Sequence, residues 1–491
     1  MKRFITLYSL CFGVLFLNQS CEKWFDVTAN NQIKAEDQFS SVDGFKDALM
    51  GVYLGMGDAN LYLSNTSFTM VDVLSQQYAP FTSSLAFYYD FQNYRYQNPK
   101  AESQIKRVWD KYYFVIANVN SALNQMDKSS FVWYKGEKEI IRGELLALRA
   151  FLHFDLMRFF GHANYAQRPE LASKLAIPYS TIYSKDYPPQ LTYTETFKQM
   201  EGDIKQAMEL LKYDPIFKNS LITSEIMMNI NRDGFYDNRF NRMNYYAAEA
   251  LLARVYAWQG GDKMKLAADA AEDVIANSPI ELFNNNDQLS NDRTIKKEHL
   301  FGLKVQDLQT TASMYFEGTN NTNYNGLRLL HAPTEDLYEV DIPEIGASDI
   351  RFIQLLNNEQ YGYVSLKLKK QSLNDIDANT IPLMKIPEMY YIASEYYSQN
   401  NMTKAISLLE KVRVSRRIVQ ALPTTMDLTS YNNELLKEYR KEYVGEGQLF
   451  FFYKRKGFKQ LPNYSSAVDL DDKVYMLPFP ASEVEFGNRV Q

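Results

Sequence analysis

Residues 144–161 read ELLALRAFLHFDLMRFFG, and how this stretch folds decides the architecture. Together with Ile141 just upstream, Leu145, Leu148 and Leu152 recur in steps of four and three, which places them on one helical face. Phe151, Phe154 and Phe159 widen that face until most of the circumference is apolar. A helix of that kind is packed between other helices. Working outward, the partner upstream carries Ile105, Trp109, Tyr112, Ile116, Val119, Leu123 and Met126 as a continuous stripe. Downstream, Phe197, Met200, Ile204, Ala207 and Leu211 form another. No comparable set of alternating strand segments exists, so the chain is read as mostly α with little β.

A repeat extends the helical reading. Met264, Ala267, Glu272 and Val274 return 138 residues later as Met402, Ala405, Glu410 and Val412, and Trp258 returns as Tyr396. Each unit reads helix, short polar turn (Gly260-Gly261-Asp262; Gln399-Asn400-Asn401), helix. Small residues at Ala267 and Ala271, with Val274, let helices approach closely and resemble the second helix of a tetratricopeptide repeat. About four such pairs are expected, interrupted by loops; a generic helical bundle is the alternative. The scaffold is placed mainly at 37–60, 104–160, 194–277 and 384–457, and an irregular region mainly at 61–103, 278–383 and 458–491, all in one domain over 21–491.

Composition narrows the function. The 491 residues carry a formal charge of −6, with 46% hydrophobic and 23% charged residues. A chain so apolar buries a large core and is not disordered. A net acidic chain is poorly suited to neutralise phosphates, so no nucleic-acid partner is expected. Tyr (36) and Phe (30) are abundant whereas Trp and His number 4 each, which favours binding surface over acid–base chemistry. There is no phosphate loop, GxSxG, HExxH or CxxC. His153, His162, His299 and His331 lack metal-ligand spacing, so no catalytic residue, metal or cofactor is assigned. Arg149, His153, Asp155 and Arg158 sit in the apolar helix; a buried hydrogen-bonded network, with Asp155 and Arg158 paired at i,i+3, is preferred to a binding cluster. The charges of Lys437 to Gly457 are expected to pair locally or face solvent, on a helix that runs into the wedge Phe450, Phe451 and Phe452.

The N-terminus is an address. Lys2 and Arg3 precede the 14-residue apolar run Phe4–Leu17, then Asn18-Gln19-Ser20-Cys21. That is a secretory signal over 1–20, too short for the ~20 residues that span a membrane. Cys11 lies within the removed part, which leaves Cys21 as the sole cysteine of a mature chain of charge −8. The arrangement resembles a bacterial lipoprotein, although Asn18 stands where an aliphatic residue is usual. Cys21 is accordingly the expected lipidation site and membrane anchor; a free structural cysteine is the alternative.

The loops hold the binding candidates. Tyr78, Phe81, Tyr88, Tyr89 and Tyr94 fall in the first irregular region, and Tyr315, Tyr324, Asn325 and Arg328 in the second, near Asn320, Asn321 and Asn323. A tyrosine ring can stack on the C–H face of a sugar while its hydroxyl bonds at the edge. Asparagines add neutral donors and acceptors. The mixture suits a neutral, polar, ring-containing ligand or equally a peptide backbone.

Four segments together resemble the SusD/RagB family of nutrient-binding outer-membrane lipoproteins of Bacteroides-type bacteria. WDKYYFVIANVNSALNQM (109–126) is similar to the family's Trp…Tyr…Ile…Asn segment, and 144–161 to its arginine-led aromatic helix ending Asp-Leu-x-Arg-x-x-Gly. Glu442, Glu446, Gly447, Arg455 and Gly457 resemble a late Glu…Glu-Gly…Arg…Gly motif, and MLPFPASE (476–483) the terminal Leu-Pro-x-Pro…Glu. Leu449 and Phe452 depart from the arginine and aspartate common in the third motif. The resemblance implies four tetratricopeptide-like helix pairs with a loop-rich second half. It also implies a cell-surface, lipid-anchored outer-membrane protein that captures oligosaccharides for a SusC-like TonB-dependent transporter. Peptide capture in the RagB-like manner is the alternative, and a hydrolase a more remote one. The implied ligand regions are the loop before the Trp109 helix and the irregular half.

Overall fold

The computed structural model describes residues 35–284, 286–287, 289, 292–317, 325–369, 379–464 and 469–491. The expected signal segment 1–20, Cys21, Asn320, Asn321, Asn323 and Tyr324 lie outside these described residues.

Eight helices form four pairs, as the patterning predicts. They are α1 (Val42–Met56) with α2 (Pro99–Lys128), α3 (Glu137–Phe160) with α4 (Tyr193–Leu210), α5 (Tyr245–Gln259) with α6 (Lys263–Asn277), and α7 (Ile386–Ser398) with α8 (Met402–Ser415). Each packs on the next along the series. Local signals set the starts. Pro99 opens α2, where its missing N–H costs nothing. Thr192 and Glu195 close a reciprocal capping box on α4, and Asn244 accepts the Ala247 N–H at 2.9 Å to start α5. The stripe from Ile105 to Met126 is buried, and so is nearly all of α3. Ala267, Ala271 and Val274 are fully buried, which lets α6 lie close to α5 and α7. In the α5–α6 turn Gly260 takes φ +67°, and a Cβ there would meet the Ala166 Cβ at 2.3 Å.

Among the described residues, strand is confined to three antiparallel two-stranded sheets. These are β1 (Leu175–Pro178) with β2 (Gln190–Thr192), β3 (His299–Lys304) with β6 (Thr380–Lys385), and the hairpin of β4 (Leu356–Glu359) with β5 (Gly362–Ser365). The 278–383 stretch is thus less irregular than its sequence suggests, and it also holds short helices Leu308–Phe316 and His331–Tyr338. β3 is buried over its first five residues, so it lacks the alternation by which a half-exposed strand is recognised. One apolar cluster runs from Phe45 to Phe479 and joins the loop regions to the helices.

Two of the buried polar systems bear on the sequence reading. Arg149 holds Asp203 bidentately, with Nε and Nη2 each 2.7 Å from a carboxylate oxygen. His153 donates from Nδ1 to the Arg149 carbonyl (2.8 Å), accepts the Ser180 N–H at Nε2 (2.9 Å) and stacks on Tyr179. Burial pushes this imidazole down to about 3, so it stays neutral. Asp155 pairs with Arg158, as the spacing predicts, and accepts the Tyr62 hydroxyl at 2.6 Å. The second system corrects the reading of 437–457. On α9 (Leu428–Glu442) Glu438 and Glu442 are buried, and with Glu446 they pair far along the chain with Arg351, Arg416, Lys385 and Lys367. Charge repeats along a helix look the same whether they face water or a buried counter-charge from elsewhere. Phe450, Phe451 and Phe452 of α10 (Leu449–Lys456) are buried, as expected.

Candidate functional site

Between the first loop region and the C-terminal end of the helical series lies an open cleft of about 960 Å³. One lip is the 76–93 segment, which contributes Tyr78, Phe81 and Tyr89 with the amides Gln76, Gln77 and Gln92. The facing lip comes from the helix His331–Tyr338 (Leu330, Pro333, Asp336, Leu337), from α9 (Lys437, Arg440) and from Pro462, Asn463 and Tyr464.

The first lip is held in place from behind. Gln92 accepts the Phe81 N–H at Oε1 (2.7 Å), donates from Nε2 to the Ala79 carbonyl (3.1 Å), and accepts the Gln76 side chain on its own carbonyl (2.8 Å). Ala79 donates its N–H to the Arg328 carbonyl at 2.7 Å. Gln76 takes φ +59°, a conformation few side-chain-bearing residues adopt, and its amide bond to the Gln92 carbonyl fixes it there. Tyr78 borders the cleft from a buried position, and its hydroxyl donates to the buried Asp72. Asp72 also accepts the N–H groups of Gly445 (2.8 Å) and Gly447 (3.1 Å). Burial pushes its carboxyl up to about 7, against these donated bonds, which favour the charged form.

The facing lip supplies charge. Lys437 is matched by Glu339 (3.1 Å) and Glu434 (2.8 Å). Arg440 donates from Nη2 to Asn463 Oδ1 at 3.0 Å, and its Nε is buried without an acceptor. Asp336 is exposed at the rim, the one carboxylate among the described residues of the lining. Among the described residues no group of three His, Cys, Asp or Glu is placed to hold a metal ion.

Of the sequence candidates, the structure brings Tyr78, Phe81 and Tyr89 together in the cleft wall. Tyr94 stands behind it, its hydroxyl on the Leu74 carbonyl (2.9 Å) and its ring edge-on to Tyr464 at 5.4 Å. Tyr88 and Tyr315 correct the expectation. Both are buried, 5.9 Å apart, and the Tyr88 hydroxyl donates to Asn65 and accepts from Thr69. Neither presents a face to a ligand. Asn325 is a strut, accepting the Phe87 N–H at 2.8 Å, and Arg328 lies outside the cleft lining with its guanidinium over Tyr361 at 5.7 Å. Sequence reasoning missed Lys437, Arg440 and Tyr464. The two cations belong to a helix whose charges read as ordinary, and Tyr464 is a lone ring in the last irregular stretch.

The arrangement offers ring faces, fixed amides and a cation, which is the chemistry of holding a polar molecule. Comparison with known proteins agrees with the fold. Residues 23–257 match a family model described as "SusD-like_3: Starch-binding associating with outer membrane". A SusD superfamily protein from Bacteroides thetaiotaomicron superposes with a TM-score of 0.69 at 21% identity, over 92% of this chain and 99% of that one. A SusD-like carbohydrate binding protein from Bacteroides vulgatus gives 0.68 at 16% identity, over 91% and 96%. Surface glycan-binding protein A from Bacteroides thetaiotaomicron, in complex with laminarihexaose, gives 0.67 at 14% identity, over 91% and 99%. No curated protein matches in sequence. Among the described residues no helix is long and apolar enough to cross a membrane.

Proposed function

We infer that this chain, a protein of the SusD/RagB type, captures oligosaccharides and passes them unaltered to a SusC-like TonB-dependent transporter in the outer membrane. The observation that carries the reading is the cleft: Tyr78, Phe81 and Tyr89 line one lip, and Gln92 pins that lip before any ligand arrives. Rings that are already placed lose little freedom on binding, which favours recognition of a saccharide by stacking. The family's association with starch and the outer membrane, and the glycan held by one structural relative, support the same reading. Anchoring is assigned to a lipid on Cys21, which would leave the cleft on the cell surface. The site is shallow and must release its cargo, so its affinity is modest.

Calorimetry with laminarihexaose and maltohexaose tests the capture step. Binding that weakens in Tyr89→Ala supports it, whereas no heat with any saccharide alongside clear binding of peptides overturns it. Co-purification of a large barrel with the tagged protein tests the partner. Loss of the protein from the membrane fraction in Cys21→Ala tests the anchor. Peptide capture is the second reading, since the lining amides Gln76, Gln77, Gln92 and Asn463 suit peptide groups as well as sugar hydroxyls. Hydrolysis of a bound saccharide, abolished by Asp336→Asn, would replace both.

A further inference from the structure

Arg440 is the cation of the cleft lining that has no ion pair among the described residues. Its neighbour in the lining, Lys437, is held between Glu339 and Glu434. Arg440 forms no ion pair with any described residue; its hydrogen bond goes to the neutral amide of Asn463, and its carbonyl accepts from Gln77 across the cleft. Asp336, the acid of the same lining, stays in water at the rim and makes no ion pair with Arg440. Half-buried guanidinium groups ordinarily have a carboxylate beside them, because burial of an unpaired charge is costly. Around this one are the rings of Tyr453 and Tyr338, and burial draws its basicity down. The chain is net acidic, so one unmatched cation within an aromatic and amide cleft is a local exception.

We propose that Arg440 receives an anionic group on the captured saccharide, so that the preferred cargo contains acidic sugar residues. This rests on the capture reading above. The planar fork of a guanidinium matches a carboxylate in two parallel hydrogen bonds, and a sulfate ester presents similar oxygens. Phe81 and Tyr89, the partly exposed rings of the lining, would take the ring faces, with the charged substituent turned toward α9. A uronate residue has this combination of an apolar C–H face and an edge carboxylate. Hydrogen bonds to a charged group contribute about 1.5–3 kcal/mol, which corresponds to roughly tenfold or more in affinity.

The test is calorimetry of the full mature chain at low and moderate salt with three hexasaccharides: neutral laminarihexaose, hexagalacturonate and a sulfated carrageenan hexasaccharide. The wild type should bind an anionic probe at least about tenfold tighter than the neutral one, and salt should narrow the gap. Whichever anionic probe is preferred identifies carboxylate or sulfate. Arg440→Gln should erase the preference, lowering affinity for the anionic probe at least about tenfold more than for the neutral hexamer, and Arg440→Lys should keep part of it, since charge remains but the fork is lost. Equal affinity for neutral and anionic probes overturns the inference and leaves saccharide capture standing. So does an anionic preference unchanged in a folded Arg440→Gln. Binding of peptides with no response to any saccharide overturns the capture reading itself.

Discussion

The Tyr78 hydroxyl donates to the Asp72 carboxylate, and this one bond joins the aromatic lip of the cleft to the turn between α9 and α10. Asp72 accepts from three donors, two of them the N–H groups of Gly445 and Gly447. Asparagine offers a single acceptor oxygen and presents an NH₂ group to at least one of those donors. Asp72→Asn should therefore destabilise the protein by about 1–3 kcal/mol in urea denaturation and weaken ligand binding through Tyr78. Unchanged stability and unchanged affinity together would show that the bond positions nothing.

Neighbours in sequence should behave oppositely. Tyr89 lines the cleft, whereas Tyr88 is buried with its hydroxyl between Asn65 and Thr69. Tyr89→Ala should lower saccharide affinity on the order of tenfold, equivalent to ~1.4 kcal/mol, and leave the melting temperature nearly unmoved. Tyr88→Phe should leave affinity intact and cost about 1 kcal/mol of stability. Calorimetry and thermal melts on the two variants decide it.

Arg416 is fully buried between Glu298 and Glu442, with four hydrogen bonds of 2.7–2.9 Å to their oxygens. Arg416→Ala leaves the buried Glu298 without a counter-charge and takes one from Glu442, which keeps Lys385 and Arg351, and should cost about 3–5 kcal/mol, visible as a lower urea midpoint. The exposed pair Lys265–Asp269 on α6 is the contrast: water screens it, and Lys265→Ala should leave the midpoint where it is.

Glu249 gives a pH signature. Burial, with Asp273 nearby, pushes its carboxyl up to about 8, while the unfolded group titrates near 4.5. Between those values the folded chain holds a proton that the unfolded chain has released, so this residue's contribution to stability falls as pH rises. Glu249→Gln should match wild type below about pH 4.5 and gain on it as pH rises to about 8, by roughly 3–5 kcal/mol in all. Melts across that range test the sign; a variant that loses ground as pH rises contradicts it.

The helices were legible because burial on one face repeats with the helical period, as at Ile105, Trp109 and Tyr112, and because the 138-residue echo marks two pairs. The Asp155–Arg158 pair was legible for the same reason, being local. The cleft was legible only in part. Nothing periodic in the 76–93 loop separates the ring of Tyr89, which faces out, from that of Tyr88, which faces in; contacts with Asn65 and Tyr315 decide it. Arg440 and Tyr464 join that loop across more than 340 positions of sequence, a distance over which no local pattern carries information. Glu438 and Glu442 were misjudged because their counter-charges, Arg351 and Arg416, are equally remote.

One lip of the cleft is made early during synthesis and the other near the end. A chain cut short before α9 would keep Tyr78, Phe81 and Tyr89 yet lack Lys437, Arg440 and Tyr464 from the facing lip. The cleft is therefore complete only when both ends of the sequence are in place, and a partly made or clipped copy offers half of it.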